Sequence, residues 1–250
     1  SQFDEAREAF EGALEISRKL YGNNHADVAG DIANLGHLLE DLGDWHRARK
    51  LYKEALEINI RVSGLHSKDT VRDYCNLGLI SQRMGDIVEA WEEFRHALDV
   101  AETVYGKDHE RVTSIAKNVA GLLTELGDWN QSKIYYLQAL EVDLKLYGAD
   151  HSELAKTHNN LGTVYQRMGN FQEAVRHYKS ALRINRTIYG TKHPKTAIAL
   201  NNVAGIMHAA GRLDEARAHY KSALEILVAV FGPDHPNTQT VQRNLAKLKE

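Results

Sequence analysis

Residues 161–182 read LGTVYQRMGNFQEAVRHYKSAL. Apolar side chains recur at helical spacing on both sides of Gly169, and a glycine commonly ends a helix. The segment therefore predicts two helices joined by a tight turn, which we name helix A and helix B. In helix B the aromatic residue Tyr178 comes three positions before the small residue Ala181. A small side chain allows a neighbouring helix to approach closely, so we expect both residues in the packed core.

The same pattern recurs along the chain at intervals of 42 residues, without an insertion, a deletion or a linker. The glycine that follows helix B occurs at Gly22, Gly64, Gly106, Gly148, Gly190 and Gly232. An asparagine in helix A occurs at Asn34, Asn76, Asn118, Asn160, Asn202 and Asn244. The alternating runs and hairpin dipeptides that are typical of strands do not occur. An internal period of this length predicts an all-α array of stacked helix pairs.

The repeats predict a single domain over residues 1–250, with a lone helix B, five helix pairs and a final helix A. The predicted ranges are 1–20 for the lone helix, 26–62, 68–104, 110–146, 152–188 and 194–230 for the pairs, and 237–249 for the capping helix. A polar terminal helix is typical of the end of such an array, so we expect a true or nearly true end there. The lone first helix has one uncovered face, which indicates either a cut from a longer protein or a surface that contacts a partner.

Composition excludes several classes of protein. The chain has 31 basic and 34 acidic side chains, a net charge of -3, and 43% hydrophobic residues, which is ordinary for a globular protein and unlike a disordered one. No apolar run approaches the roughly 20 residues that span a bilayer, so we predict no membrane association. The single cysteine, Cys75, cannot form an internal disulfide, and no secretory signal is visible, so we expect a cytoplasmic protein. The near-neutral charge gives no general attraction to nucleic acid, and we predict none as a partner.

The unit quoted above resembles the tetratricopeptide repeat, whose usual period is about 34 residues. The matching residues are Leu161, Gly162, Tyr165, Gly169, Phe171, Ala174, Tyr178, Ala181 and Leu182. The surplus in this chain corresponds to about two helical turns, one for each helix. The sequence YGADH at residues 147–151 narrows the resemblance to the kinesin light chain and nephrocystin type. The resemblance implies a right-handed superhelical solenoid of antiparallel helix pairs, with the helices A along its concave surface.

Five histidines occur once per repeat, at His25, His109, His151, His193 and His235. Equivalent positions in stacked repeats lie about 10 Å apart, so these side chains cannot bind one metal ion. Proline, which favours the first position of a helix, follows two of them at Pro194 and Pro236. Ser67, a residue type that often caps helices, stands at the same position in the second repeat. We therefore predict that the histidines are helix N-caps and that the chain has no metal site.

No catalytic or cofactor-binding motif occurs, whether G-x-G-x-x-G, P-loop, H-E-x-x-H or G-x-S-x-G. Acidic residues are scattered along helix faces near lysine and arginine, as is typical of solvated surfaces. Cys75 is interpreted as a small apolar residue of helix A. We therefore predict no enzymatic activity, no catalytic residue and no cofactor.

The recurring asparagine of helix A needs an explanation because asparagine is a mediocre helix former. One interpretation is a structural ladder of hydrogen bonds from one helix A to the next. The other is a row of amides that faces the groove and binds a peptide backbone. The resemblance supports the second, since this asparagine matches a ligand-contact position of tetratricopeptide repeats. Both interpretations stay open, and each can hold in different repeats.

The side chains three and four positions from these asparagines are mostly basic in the middle of the predicted groove. The predicted peptide-binding residues are Asn34, Arg72, Asn76, Leu79, Arg83, Lys117, Asn118, Lys156, Asn159, Asn160, Arg167, Asn201 and Asn202. Arginine and lysine form charge-assisted hydrogen bonds to carboxylates, so we expect a partner with acidic residues. Leu79 is expected to contact one apolar side chain, and Glu40 and Asp41 make the first-repeat end of the groove more acidic.

These features favour a protein–protein interaction scaffold that binds an extended, acidic peptide or partner segment. The alternative is a sensor or regulatory module of a larger signalling ATPase, because similar arrays occur at the ends of such proteins. A P-loop upstream in the full-length chain would distinguish that alternative. RNA binding predicts a broad positive stripe and exposed aromatic residues, and the net charge of -3 argues against it.

Overall fold

The computed structural model describes the backbone of residues 2–249 and the side chains of residues 5–248. This part of the chain consists of twelve α-helices and a short 3-10 helix, and it contains no strand. The first six helices are α1 (Gln2–Tyr21), α2 (Ala26–Asp41), α3 (Trp45–Ser63), α4 (Lys68–Met84), α5 (Ile87–Tyr105) and α6 (Glu110–Leu126). The others are α7 (Trp129–Tyr147), α8 (Ser152–Arg167), α9 (Phe171–Tyr189), α10 (Pro194–Ala209), α11 (Leu213–Phe231) and α12 (Pro236–Ala246), followed by the 3-10 helix Lys247–Lys249.

The chain divides into two compact units, residues 1–127 and residues 128–250. Within each unit every helix packs against the next one in the chain, so the prediction of an all-α fold built from consecutive helix pairs is confirmed. Even-numbered helices are the helices A, and odd-numbered helices are the helices B. The single domain and the right-handed superhelix stay predictions. No helix among the described residues is both long and apolar enough to cross a membrane.

In three helix pairs, an aromatic ring of helix B lies against a glycine of the helix A before it. In the first unit Tyr52 and Ala55 of α3 are completely buried. A β-carbon on Gly36 of α2 would lie 2.8 Å from the Tyr52 ring, and one on Gly78 of α4 would lie 2.6 Å from Cδ2 of Phe94. Those distances are shorter than any normal carbon–carbon contact, so the glycines allow the paired helices to approach this closely.

The histidine side chains cap the helices A, as predicted. In each case the imidazole Nδ1 accepts a hydrogen bond from the backbone N–H two residues further on, at distances of 3.1 to 3.3 Å, for His25, His109, His151, His193 and His235. Each ring also stacks on the aromatic residue that ends the preceding helix B, as His151 does on Tyr147 with centroids 4.4 Å apart. Ser67 makes the equivalent cap by accepting from the Thr70 N–H at 3.1 Å. The prediction of N-caps is confirmed.

We expect Gly78→Ala to lower the free energy of unfolding by about 1–3 kcal/mol, because the added methyl group must displace the Phe94 ring. The control is Gly30→Ala in α2, where no heavy atom lies within 4 Å of an added β-carbon. It should raise stability by up to about 1 kcal/mol through better helix propensity. Urea unfolding of both variants measures the difference, and equal midpoints would contradict the close contact.

A second pair of variants tests the caps. His151→Ala should cost about 1 kcal/mol of stability because the backbone N–H of Glu153 loses its acceptor. His151→Ser should keep most of that stability, since serine caps the equivalent helix at Ser67. Thermal unfolding checks both. If serine lost as much as alanine, ring stacking rather than the capping hydrogen bond would account for the histidines.

Candidate functional site

A pocket of about 260 Å³ lies between α4 and α6 in the first unit. We call it the α4–α6 pocket. Its lining residues are Val71, Arg72, Cys75, Asn76, Leu79, Phe94, Arg111, Ser114, Ile115 and Asn118. Four of the peptide-binding residues predicted from the sequence, Arg72, Asn76, Leu79 and Asn118, thus come together here. Two arginines and no carboxylate are among the lining residues, so the pocket favours anionic groups.

Asn76 gives the α4–α6 pocket an unsatisfied hydrogen-bond donor. Its side chain is only 8% exposed, and its Nδ2 has no acceptor among the described residues. A buried donor without a partner costs about 1–3 kcal/mol. A carbonyl or carboxylate oxygen of a bound molecule would remove that cost. The amide therefore indicates a ligand that presents a hydrogen-bond acceptor.

The two arginines of the α4–α6 pocket are held differently. Arg72 donates to Asp69 at 2.9 Å and to Asp73 at 3.1 Å. Asp73 also accepts from Asn59 Nδ2 at 2.5 Å, yet burial outweighs these partners and raises the pKa of its carboxyl group. Arg111 lies over the Tyr105 ring at 5.7 Å and forms no ion pair with a described carboxylate. Arg111 is therefore the better placed of the two for a carboxylate of a ligand.

Two further side chains of the α4–α6 pocket define its apolar part. Leu79 is 43% exposed, which is typical of a side chain that can contact an apolar group of a ligand. Burial raises the pKa of the Cys75 thiol to about 12. The thiol is therefore protonated at neutral pH and is not a nucleophile. This agrees with the interpretation of Cys75 as a small apolar residue.

A second pocket, of about 220 Å³, lies between α8 and α10 in the second unit. We call it the α8–α10 pocket. It is lined by Ser152, Ala155, Lys156, Asn159, Asn185, Tyr189, Lys195, Ile198, Ala199 and Asn202. Seven of these positions are two repeats beyond lining positions of the α4–α6 pocket, so the two pockets occupy the same place in different repeats. Again two basic residues and no carboxylate line the pocket.

The lysines of the α8–α10 pocket have local partners. Lys156 pairs with Glu153 at 2.6 Å, an exposed contact that contributes little to stability. Lys195 donates to the Tyr189 hydroxyl at 2.9 Å and lies 4.4 Å from the centre of its ring. The hydrogen bond from Lys195 lowers the pKa of the Tyr189 hydroxyl. The predicted Arg167 is exposed in the last turn of α8 and does not line this pocket.

The asparagines of the second unit form a ladder between neighbouring helices A. Asn202 Nδ2 donates to Asn159 Oδ1 at 2.6 Å, and Asn244 Nδ2 donates to Asn201 Oδ1 at 3.0 Å. A longer bond of 3.4 Å joins Asn201 to Asn202. The remaining predicted residue of this face, Asn160, is half-buried on α8. The structural interpretation of the asparagine series thus describes Asn202 and Asn244.

The other predicted residues of the first unit lie outside the α4–α6 pocket. Asn34 is exposed on α2, and Lys117 is half-buried on α6. Arg83 Nε lies 2.9 Å from Glu40 Oε1, and Glu40 also accepts from the Tyr52 hydroxyl at 2.8 Å. Glu40 is largely buried, so this ion pair anchors Arg83 to α2. The structure makes Arg83 a weaker candidate for ligand contact than Arg111.

Sequence analysis missed Arg111, Asn185, Tyr189 and Lys195. It considered neighbours on the same helix as each asparagine, whereas the pockets form between two helices. A signal was present, because Arg111 and Lys195 occupy the same position two repeats apart. Arg72 and Lys156 likewise occupy equivalent positions two repeats apart. A basic residue thus recurs after two repeats at each of these two positions.

Two titratable side chains meet between α8 and α9. The Nδ1 atoms of His158 and His177 are 2.9 Å apart, and Tyr165 stacks on His177. Burial, and then the neighbouring His177 and arginines, lower the pKa of His158 to about 4. Burial also lowers the pKa of His177. Among the described residues, no three histidine, cysteine, aspartate or glutamate side chains lie close enough together to bind a metal ion.

This pair predicts a loss of stability in acid. An unfolded histidine has a pKa of about 6.5, so its folded-state pKa of about 4 means that folding favours the neutral ring. The stability is present above pH 6.5 and is lost as the pH falls towards 4. Between pH 7.5 and pH 5, we expect the free energy of unfolding to fall by about 1 kcal/mol less in His158→Gln than in the parent. Urea unfolding at both values measures this; an equal loss in parent and variant would contradict the prediction.

The repeated helix pairs and the pockets between successive helices A define a helical-repeat protein. The sequence profile of the tetratricopeptide repeat matches residues 1–61, 29–103, 69–145, 111–187, 153–227 and 195–250. The chain therefore belongs to the tetratricopeptide repeat family, which confirms the resemblance seen in the sequence. Proteins of this family are generally scaffolds for protein–protein interaction and generally not enzymes. None of the curated proteins compared with the chain matches it.

Several solved structures share the fold. BtubC (BKLC) from P. vanneervenii is 24% identical with a TM-score of 0.78, and the match covers 94% of each chain. A putative kinesin light chain with nearly identical repeats from P. anserina is 17% identical with a TM-score of 0.73, over 83% of this chain and 98% of that one. YrrB, described as a tetratricopeptide-repeat protein with an unusual peptide-binding site, is 17% identical with a TM-score of 0.60, over 92% and 98%. These similarities concern the fold, and they support the kinesin light chain type of repeat.

Proposed function

We propose that this protein is a scaffold that binds an extended, acidic peptide or partner segment against its helices A. The α4–α6 pocket is the main contact. The buried, unsatisfied amide of Asn76 is the observation that carries the proposal, because it lies beside two arginines in a pocket without a carboxylate. Binding of a partner without chemistry agrees with the general role of the family.

The peptide backbone would supply the acceptor for Asn76. An extended peptide presents a carbonyl oxygen at every residue, and those oxygens have no partner in the same strand. One carbonyl in the α4–α6 pocket satisfies the Asn76 donor, and the exposed Asn118 amide can bind a second peptide group. These contacts are independent of the peptide sequence, so they provide affinity rather than selectivity.

Charge would provide the selectivity. Arg111 lies near Asn76 and has no competing carboxylate, so a glutamate or aspartate of the peptide can form a charge-assisted pair with it. The α8–α10 pocket offers Lys156 and Lys195 at corresponding positions. Such contacts between exposed groups weaken as salt screens the charges, so the affinity should fall with ionic strength.

A peptide-display selection tests the proposal with three forms of the protein. The parent should enrich acidic peptides. Arg111→Glu should lose them, with an affinity at least tenfold lower, because the reversed charge repels the carboxylate. Glutamate suits the first turn of α6 because the helix dipole favours negative charge there, so the variant should fold.

The matched control is Arg47→Glu on α3, which makes the same change in net charge on an exposed residue outside both pockets. It should enrich the same acidic peptides as the parent. Enrichment of the same peptides by Arg111→Glu would move the site away from the α4–α6 pocket. Enrichment of neutral or basic peptides by the parent would contradict an acidic partner.

A further inference from the structure

We propose that the residue 43 positions before each helix-A asparagine decides whether its amide ties two helices together or remains available to a partner. An asparagine at that position makes a structural tie. A residue without a carbonyl side chain leaves the amide free. The part of this inference that concerns the partner rests on the proposed function, whereas the part that concerns the tie does not.

The two tied amides both have an asparagine at the preceding position. Asn202 donates to Asn159, and Asn244 donates to Asn201, each across 43 positions of sequence. The separation is one repeat plus one residue, because the acceptor stands directly before the asparagine of its own repeat. Thus the pair Asn201-Asn202 in α10 supplies both an acceptor for the next repeat and a donor of its own.

Two free amides of the first unit, those of Asn76 and Asn118, have a different residue 43 positions earlier. Ala33 stands 43 positions before Asn76, and Cys75 stands 43 positions before Asn118. Asn76 Nδ2 has no acceptor among the described residues, and Asn118 is exposed without a hydrogen bond from its side chain to them. Alanine has no acceptor, and a thiol sulfur is only a weak one.

Corresponding positions in the two pockets make the comparison direct. Cys75 and Asn118 line the α4–α6 pocket, and Asn159 and Asn202 line the α8–α10 pocket at the positions two repeats further on. The same pair of positions is therefore tied in one pocket and open in the other. We infer that Asn76 and Asn118 of the first unit are available to a peptide backbone, while Asn202 of the second unit holds α8 and α10 together.

A reciprocal substitution tests this rule. Cys75→Asn should provide an acceptor for Asn118, and Asn159→Cys should remove the acceptor of Asn202. The readout for the tie is the hydrogen-exchange rate of the asparagine side-chain amides, measured by NMR. We expect exchange at Asn118 to slow at least tenfold in the first variant, and exchange at Asn202 to accelerate by a similar factor in the second.

The readout for the partner is the affinity of a fluorescein-labelled acidic peptide taken from the display selection. Cys75→Asn should bind it about tenfold more weakly, because the tied amide no longer donates to the peptide. The control is Cys75→Leu, which adds a side chain of similar size without an acceptor. Asn118 should exchange rapidly in this control, and any steric effect on affinity should appear in it.

Each outcome decides part of the inference. The proposed tie between helices would be wrong if the Asn118 amide exchanged rapidly in Cys75→Asn. It would also be wrong if the Asn202 amide exchanged slowly in Asn159→Cys. Slow exchange at Asn118 together with equal affinity in Cys75→Asn and Cys75→Leu would overturn the role of the amide in binding. Failure of the parent to enrich any acidic peptide would overturn the proposed function, and the exchange rates would still decide the tie.

Discussion

The close contact between an aromatic ring of helix B and a glycine of helix A is the constraint on which the packing of the helix pairs depends. At Gly78, beneath Phe94, a single added carbon would overlap the ring. The contact fixes the separation of the two helices in a pair, and the 42-residue period repeats it along each unit. Since every helix within a unit also packs on the next, the contact helps to set which side chains of successive helices A meet and hence where the pockets lie.

The fold was predictable because periodicity reports both the local structure and the packing. Gly85 shows how local the signals are: it ends α4 in a left-handed conformation that glycine adopts without strain. The histidine caps were predictable for the same reason, since Ser67 and Pro194 identify the position by its capping chemistry. These features depend on residues that are close in sequence or one repeat apart.

The candidate site was predictable only in part. Arg72, Asn76, Leu79 and Asn118 come together as spacing along helix A suggested. Arg111 was missed because it enters the pocket from the first turn of the next helix A. Arg83 stays a predicted ligand contact, and spacing along one helix does not reveal its ion pair with Glu40 on the preceding helix A. Spacing along a single helix predicts the face on which a residue lies. It does not predict the residue's partners on other helices.

The asparagine series shows how one repeated residue can serve two purposes. A mid-helix amide must satisfy its donor, and it can do so on a neighbouring helix or on a bound partner. In the second unit Asn202 donates to Asn159 on a neighbouring helix. Asn76 in the first unit has no such acceptor among the described residues, so only a bound partner can satisfy its donor. An unsatisfied donor costs some stability, so its presence in the pocket is consistent with a site kept for binding.

The most direct test of this account is the side-chain amide signal of Asn76, followed by NMR as an acidic peptide is added. We expect the Asn76 side-chain resonances to shift and their hydrogen exchange to slow as the peptide saturates the protein, because Nδ2 gains an acceptor. A glutamine-for-glutamate version of the same peptide should produce the change only at higher concentration. Saturable binding that leaves the Asn76 signal unchanged would contradict the α4–α6 pocket as the site of recognition.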